Sequence, residues 1–211
     1  MDADILLVGG APRVPVDAVR HLTVAASGRT AVRLQALLQE RGLRSALLLG
    51  TDAVACEGAR RYTDRAGLDA AVQAWAGRHP QGRLVLSAAV NDYEVARLEA
   101  DGADGPVHLS AGGKLPSGCR AVRIHLRPAA KLVDELRRSW SWPGRLFCFK
   151  YEAAATVLDS AQALCRRVGA SAVLANSLCG TIQALVDADG VTPHADRDAA
   201  LQALADRIAA G

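Results

Sequence analysis

The sequence predicts an α/β fold: a Rossmann-like, doubly wound, mostly parallel sheet with helices on both faces and a C-terminal hairpin. Short apolar runs alternate with segments of helical periodicity, and turn residues end most of the apolar runs. The chain has 211 residues, of which 50% are hydrophobic and 22% charged. This length and composition are enough for one domain with a substantial core, and we expect a single domain over residues 1–211.

The first half of the chain has the pattern of βαβ units. Residues 29–41 place Leu34, Leu37 and Leu38 on one helical face and end at Gly42, a residue typical of helix C-termini. We expect strands at residues 5–8, 45–49 and 83–89, and helices at residues 29–41 and 68–76. The range 101–118 is rich in glycine and is expected to be a flexible excursion, either a loop over a site or a dispensable insertion.

The second half repeats the alternation and ends differently. We expect helices at residues 129–139, 153–168 and 198–210, strands at 145–149 and 172–175, and a hairpin formed by 183–187 and 190–192. Asp196 or Asp198 would cap the last helix. In a sheet of this kind, ligands bind beyond the carboxyl ends of the strands.

Composition argues against several classes of protein. The net charge of +3 comes from arginines scattered along the chain, which does not favour a nucleic-acid surface. The five cysteines are widely spaced and form no C-x-x-C motif, so we expect neither disulfides nor a zinc site, and a reducing cytoplasmic location. Cys148 lies in an apolar run and is expected to be buried. No apolar run approaches the roughly 20 residues that span a bilayer, so no membrane partner is expected.

A glycine pair, Gly9-Gly10, closes the first predicted strand, and Ser27-Gly28-Arg29 opens the following helix. Glycines let a backbone approach a ligand closely, and the first N–H groups of a helix attract anions. Phosphate binding is one interpretation of this segment. An ordinary strand-to-helix turn, which also favours glycine, is the other.

Two charged residues stand where a nucleotide and its metal would need them. Asp92 directly follows the apolar run that ends at Val90, and Mg²⁺ often binds one or two protein carboxylates together with phosphate oxygens. Lys114 follows a glycine pair, whose backbone freedom would let the ammonium group reach a phosphate. The alternatives are a turn aspartate and a solvated loop lysine.

Taken in order, these segments resemble the successive motifs of the phosphopantothenoylcysteine synthetase family, in its stand-alone form. The matching blocks are Gly9-Gly10 with Arg13, Asp17 and Arg20, then Ser27-Gly28-Arg29, Ser87-Ala-Ala-Val-Asn-Asp92-Tyr93, Lys114-Leu115, Phe149-Lys-Tyr-Glu152 and Val173-Leu-Ala-Asn176. Each block is short, but their order and rough spacing extend over nearly the whole chain.

The resemblance implies a ligase that activates the carboxylate of 4′-phosphopantothenate with CTP or ATP and Mg²⁺, and then joins it to cysteine in coenzyme A biosynthesis. It implies catalytic roles for Lys114 and Asp92, with Asp92 also at the metal, and a homodimer. The implied nucleotide-binding residues are Gly9, Gly10, Ser27, Gly28, Arg29, Ala88, Arg127, Pro128, Phe149, Lys150, Arg166 and Arg167. Arg20, Val24 and Asn176 fall at implied substrate positions, with a structural role as the alternative for Arg20.

The chain departs from the family pattern at the acyl half of the site. The family has an asparagine four residues before the glycine of its Ser-Gly motif, and this chain has Val24. Two family lysines before the Val-Ala-Asn block are missing, and Arg166 or Arg167 could replace one of them. Three classes stay open: an authentic synthetase, a paralogue that activates another carboxylate, and a non-catalytic nucleotide-binding relative.

Overall fold

The computed structural model describes residues 1–102, 105–107 and 113–210. Its helices are α1 (Arg29–Glu40), α2 (Arg65–Arg78), α3 (Leu132–Arg138), α4 (Val157–Val168) and α5 (Arg197–Ala209). Its strands are β1 (Ile5–Gly9), β2 (Val14–Pro15), β3 (His21–Leu22), β4 (Ala46–Gly50), β5 (Arg60–Tyr62), β6 (Arg83–Leu86), β7 (Tyr93–Gly102), β8 (Gly105–Val107), β9 (Ala121–Pro128), β10 (Arg145–Glu152), β11 (Ala172–Ser177), β12 (Gln183–Asp187) and β13 (Gly190–Pro193).

The main sheet has eight strands in the order β13-β12-β11-β10-β6-β1-β4-β5. The pairs from β11 to β5 are parallel, and β12 and β13 add antiparallel strands at one edge. From β1 the chain winds first toward β4 and β5, then returns to β6 and continues toward β11. The winding direction therefore reverses between β1 and β6, where doubly wound proteins bind ligands.

Helices cover both faces of this sheet, which confirms the predicted fold class. On one face α2, α3 and α4 bury residues such as Trp75 and Leu136, both fully inaccessible to solvent. On the other face α1 and α5 bury residues such as Leu37 and Leu204. Successive side chains of a strand point to opposite faces of the sheet, so each central strand contributes apolar residues to both cores.

The C-terminal part also matches the sequence-based expectation. The strands β12 and β13 form an antiparallel hairpin, with Val186 opposite Val191. Asp196 caps α5, and its carboxylate accepts a hydrogen bond of 2.8 Å from the backbone N–H of Ala199.

The cysteines are distributed along the whole chain. All five are free thiols, and Cys148 is buried as predicted.

A second sheet, built from β8, β7 and β9 in that order, was not predicted. The expected excursion at 101–118 is only partly irregular, because residues 101 and 102 end β7 and β8 lies within it. Residues 103, 104 and 108–112 of that range lie outside the described residues. β9 alternates apolar and polar residues from Val122 to Arg127, the two-residue period of a strand, and it pairs antiparallel with β7. This strand was not among the predicted ones.

Three helix starts also differ from the prediction by three or four residues. The helix expected at 68–76 spans Arg65–Arg78, with Asp64 as its N-cap. The helix expected from residue 153 begins at Val157, because β10 continues to Glu152 beside Ser177 of β11. The helix expected from residue 129 begins at Leu132, after β9 has ended at Pro128. In the part of the chain that the structure describes, no helix is both long and apolar enough to cross a membrane.

Two tryptophans pack together near the amino ends of the parallel strands, on the face of the sheet that α2, α3 and α4 cover. The ring centroids of Trp75 and Trp142 lie 5.7 Å apart, and the Trp142 indole N–H donates to the carbonyl oxygen of His79 at 2.9 Å. Gly144 has no room for a side chain: an added Cβ would lie 2.1 Å from Cζ2 of Trp142 and 2.6 Å from the Gly82 oxygen. The tryptophan pair therefore requires glycine at position 144.

We expect Gly144→Ala to lower the free energy of unfolding by about 1–3 kcal/mol, because the methyl group must displace a buried indole or backbone. The matched control is Gly77→Ala within α2, where an added Cβ meets nothing within 4 Å. That change should stabilise the protein by up to about 1 kcal/mol through helix propensity. Urea unfolding of both variants measures the two effects, and equal stabilities would contradict the packing argument.

Candidate functional site

A cavity of about 410 Å³ opens at the carboxyl ends of β6 and β10, and we call it the central cavity. Its size is in the range of pockets that hold small molecules. Five charged side chains line it: Asp92, Lys131, Lys150, Glu152 and Arg167. Val24, Ala88 and Phe149 line it as well, so it brings together six of the residues that the sequence nominated: Val24, Ala88, Asp92, Phe149, Lys150 and Arg167.

The segment after β6 forms one wall of the central cavity. It stays beside β1 beyond the end of β6, because Ser87 Oγ donates to the Val8 oxygen at 2.8 Å and Ala89 N–H to the Gly10 oxygen at 2.9 Å. These bonds hold Ala88 next to the glycine pair. The adjoining Asp92 is 66% exposed, and one of its carboxylate oxygens lies 3.7 Å from Lys131 Nζ.

The cations of the central cavity are all close to carboxylates. Lys150 Nζ lies 2.6 Å from Glu152 Oε1, and Lys150 together with Ser160 lowers the pKa of Glu152. Arg167 is hydrogen-bonded to Asp134 of α3. Three cations and two carboxylates line the cavity, so an anionic ligand would meet a modest excess of positive charge.

Cys148 also borders the central cavity but is only 2% exposed. Burial raises the pKa of its thiol to about 12. A neutral thiol is a poor nucleophile, which agrees with the structural role predicted for Cys148.

The predicted glycine motif is explained by packing between protein atoms. An added Cβ on Gly9 would lie 2.8 Å from the Ala31 Cβ of α1 and 3.3 Å from Gly28 Cα. Gly10 and Gly28 have φ values of +81° and +74°, which side-chain-bearing residues rarely adopt. The turn interpretation therefore accounts for these glycines, while their contact with a phosphate stays a prediction.

A second cavity of about 300 Å³ lies at the start of α1, lined by Ala11, Asp52 and residues 23–27. Ser27 belongs to it, and Val24 lines both cavities and is 39% exposed. Arg13 donates from Nε to Asp52 at 2.8 Å, and this contact lowers the pKa of the Asp52 carboxyl. Val24 therefore stands where the two cavities meet. Arg29, also predicted to bind phosphate, is the exposed first residue of α1.

Lys114 and Arg20 lie together, outside both cavities as the structure describes them. The backbone of Lys114's neighbours is hydrogen-bonded to residues 17–20, and Arg20 donates to both Asp17 and the Leu115 oxygen. Lys114 itself is exposed. The backbone freedom that we expected at Lys114 is therefore restricted on both sides, and the structural interpretation of Arg20 is the one that its contacts favour.

Four other nominated residues do not line the central cavity. Arg127 donates from Nε to Glu94 at 2.7 Å on the small sheet, and Pro128 ends β9. Arg166 is exposed beside Arg167, so of this pair only Arg167 reaches the cavity. Asn176 is 2% exposed, and its side-chain oxygen accepts a hydrogen bond from Arg197.

Two residues at this edge of the sheet were missed by sequence reasoning. Lys131 lies in a segment that we expected to be plain helix, and it points into the cavity because α3 begins just after it. Arg197 joins Asn176 to Thr30 at the start of α1, with 2.7 Å to the threonine hydroxyl. A lysine immediately before a helix that follows a strand end could have signalled Lys131. Nothing in the local sequence signals Arg197.

Few side chains at this edge of the sheet could coordinate a metal ion. Among the described residues, no group of three or more histidine, cysteine, aspartate or glutamate side chains could hold a metal. Asp92 is exposed enough to bind a cation that phosphate oxygens also hold, which is the coordination typical of Mg²⁺ with nucleotides. The residues present therefore fit a nucleotide-borne Mg²⁺ better than a permanently bound one.

The fold defines a doubly wound α/β protein, and the central cavity lies at the carboxyl ends of β6 and β10, beside the switch point where proteins of this class bind ligands. The family model of the DNA/pantothenate metabolism flavoprotein C-terminal domain matches residues 1–203. The chain belongs to this family, to which the phosphopantothenoylcysteine synthetases of coenzyme A biosynthesis also belong. Its functional class is therefore that of a synthetase-like ligase.

Solved structures share the fold at low sequence identity. The DNA/pantothenate metabolism flavoprotein from Streptococcus pneumoniae superimposes with a TM-score of 0.83 at 19% identity, over 99% of both chains. A Cab2 variant in complex with phosphopantothenate-cysteine gives 0.73 at 14%, over 98% of this chain and 85% of that one. The C-terminal domain of the coenzyme A biosynthesis bifunctional protein CoaBC gives 0.70 at 18%, over 98% and 91%. No curated protein sequence is detectably similar.

Proposed function

We propose that this protein is a nucleotide-dependent ligase that activates 4′-phosphopantothenate as an acyl-nucleotidylate and joins it to cysteine. The observation that carries the proposal is the pair of cavities that meet at Val24, one lined by Lys131, Lys150 and Arg167 and the other at the start of α1. A nucleotide and a second, acyl-bearing substrate need adjoining sites of this kind. Membership of the family supplies the reaction class.

The chemistry makes two demands on the chain. In the first step a carboxylate oxygen attacks the α-phosphorus of CTP or ATP, and the bond from that phosphorus to the bridging oxygen of pyrophosphate breaks. Negative charge builds on the phosphoryl oxygens, so cations fixed beside them lower the barrier. Lys131 and Lys150 line the central cavity and could take this role, while Lys114 would have to reach the phosphates from outside both cavities. Asp92 would hold the Mg²⁺ that accompanies the triphosphate.

In the second step the amine of cysteine attacks the acyl carbon, and the nucleoside monophosphate leaves with the electron pair of the broken carbon–oxygen bond. The acyl group must then be accessible both to the bound nucleotide and to cysteine, which requires it to lie where the two cavities adjoin. Val24 occupies that junction, where the resembling family has an asparagine. The replacement favours one alternative function, a paralogue with the same activation chemistry on another carboxylate.

The direct test is pyrophosphate release by the purified protein with 4′-phosphopantothenate, cysteine and Mg²⁺, with CTP and ATP offered separately and the product followed by mass. Ligated product with either nucleotide supports the proposal. Pyrophosphate release only with a different acid would support the paralogue, and a lack of turnover with any acid would contradict both.

We expect Asp92→Ala and Lys114→Ala each to lower nucleotide-dependent pyrophosphate release by about 100-fold or more, since each removes a charge that the transition state requires. The control is Arg123→Gln on β9, where Arg123 pairs with Asp101 away from the cavities. Steady-state rates of the three variants provide the comparison. Wild-type rates in the first two would remove these residues from the mechanism.

We expect Val24→Asn to raise the rate of ligation. A side-chain amide at the junction would donate a hydrogen bond worth on the order of 2–4 kcal/mol to a developing oxyanion, which is about 30-fold or more in rate. Val24→Leu, which keeps an apolar side chain, is the matched control. A correctly folded Val24→Asn protein with an unchanged rate would show that the missing amide is not what limits the reaction.

We further propose that the protein is a homodimer, joined through the apolar face of the small sheet. On β9 the side chains of Val122, Ile124 and Leu126 are 41%, 38% and 47% exposed. The opposite face of the same strand carries Arg123 and Arg127, which are paired with acidic residues of β7. A second copy would cover the apolar face, which a monomer leaves in water.

We expect Ile124→Lys to convert the dimer into a monomer, because a buried ammonium group without a partner is costly at an apolar interface. Arg123→Gln, on the opposite face of the same strand, should leave the dimer intact. Light scattering after size-exclusion chromatography measures the masses. A monomeric wild-type protein at tens of micromolar would contradict the dimer.

A further inference from the structure

Residues 113–115, which we call the Lys114 segment, are bound to the loop between β2 and β3. Ala18 N–H donates to the Gly113 oxygen at 3.3 Å, and the Leu115 N–H donates to Asp17 Oδ2 at 2.9 Å. Leu115 is 6% exposed, whereas Lys114 between these anchors is exposed. The backbone of this lysine is therefore fixed on both sides while its ammonium group remains accessible.

The centre of this contact is the carboxylate of Asp17, whose side chain is 1% exposed. Its Oδ1 accepts hydrogen bonds from the N–H groups of Val19 and Arg20 at 2.9 and 2.7 Å, and these two bonds close the turn of the loop. Its Oδ2 accepts from Leu115 and from the guanidinium of Arg20. Oδ1 thus binds only the N–H groups of the turn, whereas Oδ2 binds both the Lys114 segment and the Arg20 side chain.

The contact is electrostatically favourable. Burial alone would raise the pKa of the Asp17 carboxyl, but the N–H groups of Leu115, Val19 and Arg20 and the Arg20 guanidinium outweigh it, so the pKa lies below its ordinary value. The carboxylate is therefore charged throughout the neutral range. A charged acceptor makes stronger hydrogen bonds than a neutral one, which suits a link between segments 98 residues apart.

The loop that binds the Lys114 segment lies between the carboxyl end of β1 and the second cavity in the chain. It follows the carboxyl end of β1, and the chain continues from β3 directly into residues 23–27 of the second cavity. A lysine tied to this loop is held at the edge where the nucleotide would bind. A free lysine would have to give up more conformational entropy to act there.

We propose that Asp17 is a positioning residue for Lys114, holding the lysine's backbone so that its ammonium group reaches the phosphates of the bound nucleotide. This rests on the function proposed above. A carboxylate that merely stabilised the turn would explain the two bonds to Oδ1 but not the bond to Leu115. The two roles can be separated, because each uses a different oxygen.

Asp17→Asn separates them. The amide oxygen can keep the bonds to Val19 and Arg20, while the amide NH₂ faces the Leu115 N–H and the Arg20 guanidinium, which are both donors. We expect the backbone amide of Leu115 to exchange with deuterium ~10-fold faster or more. We also expect kcat for pyrophosphate release to fall ~30-fold with the nucleotide KM within ~3-fold, since the lysine acts mainly in the transition state.

Asp187→Asn is the matched control. Asp187 is 8% exposed, its Oδ1 accepts the Asp189 N–H at 2.9 Å, and its Oδ2 lies 2.6 Å from Arg207, but it ends β12 at the opposite edge of the sheet. This variant should lose stability like Asp17→Asn while kcat stays within ~2-fold of wild type. In a Lys114→Ala background, Asp17→Asn should lower kcat less than ~2-fold further, because the lysine through which it acts is gone.

The outcomes distinguish this proposal from the proposed function. Unchanged exchange of Leu115 in Asp17→Asn, or an equal loss of kcat with and without Lys114, would overturn the positioning role. A wild-type protein without turnover would overturn the proposed function and, with it, the catalytic part of this proposal. The exchange measurement would then still decide whether Asp17 anchors the segment.

Discussion

The edge of the sheet where β1 and β4 end depends on close contacts between backbone segments. Gly9 and Gly50 make these contacts, since neither position has room for a side chain. An added Cβ on Gly9 would lie 2.8 Å from Ala31 Cβ, and one on Gly50 would lie 2.7 Å from the Ala11 oxygen. These contacts set the position of α1 and of the loop that leaves β1. Tyr62 adds a buried hydrogen bond of 2.9 Å from its hydroxyl to the Gly9 oxygen. The second cavity, which Ala11 lines, lies directly against this framework, so backbone packing sets one of its walls.

Charge pairing then decides how the central cavity can receive an anion. Lys150 lies 2.6 Å from Glu152, Arg167 is bound to Asp134, and Lys131 is 3.7 Å from Asp92. A phosphate must compete with these carboxylates, and it does so most easily at Lys131, whose pairing distance is the longest of the three. A cation bound at Asp92 would draw that carboxylate away from Lys131 and release the ammonium group for a phosphate. Metal and nucleotide binding would in this way support each other.

The sequence predicted the large sheet and the central cavity's main walls because both follow from apolar strands whose ends carry polar residues. Asp92 and Lys150 could be placed at one edge on that basis alone. The small sheet was missed although β9 alternates apolar and polar residues from Val122 to Arg127, which is the two-residue period of a strand. Its pairing with β7 could not be predicted from local patterns, because the glycine-rich range separates the two strands in the sequence. The bond between Asp17 and Leu115 spans 98 residues, and local patterns carry no information about such contacts.

Val24 marks the place where the family resemblance and the physics of this chain diverge. Its isopropyl group, 39% exposed between the two cavities, cannot donate a hydrogen bond. Among the residues lining the second cavity, the only side-chain hydroxyls are those of Thr23 and Ser27. The Thr23 hydroxyl lies 3.4 Å from the Pro12 oxygen, a weak bond that a substrate could replace at little cost. On the second-cavity side of Val24, the oxygen of an acyl intermediate would therefore meet these hydroxyls and backbone N–H groups, which would select acids whose shape brings the carbonyl toward residues 23–27. On the other side it would meet the cations of the central cavity.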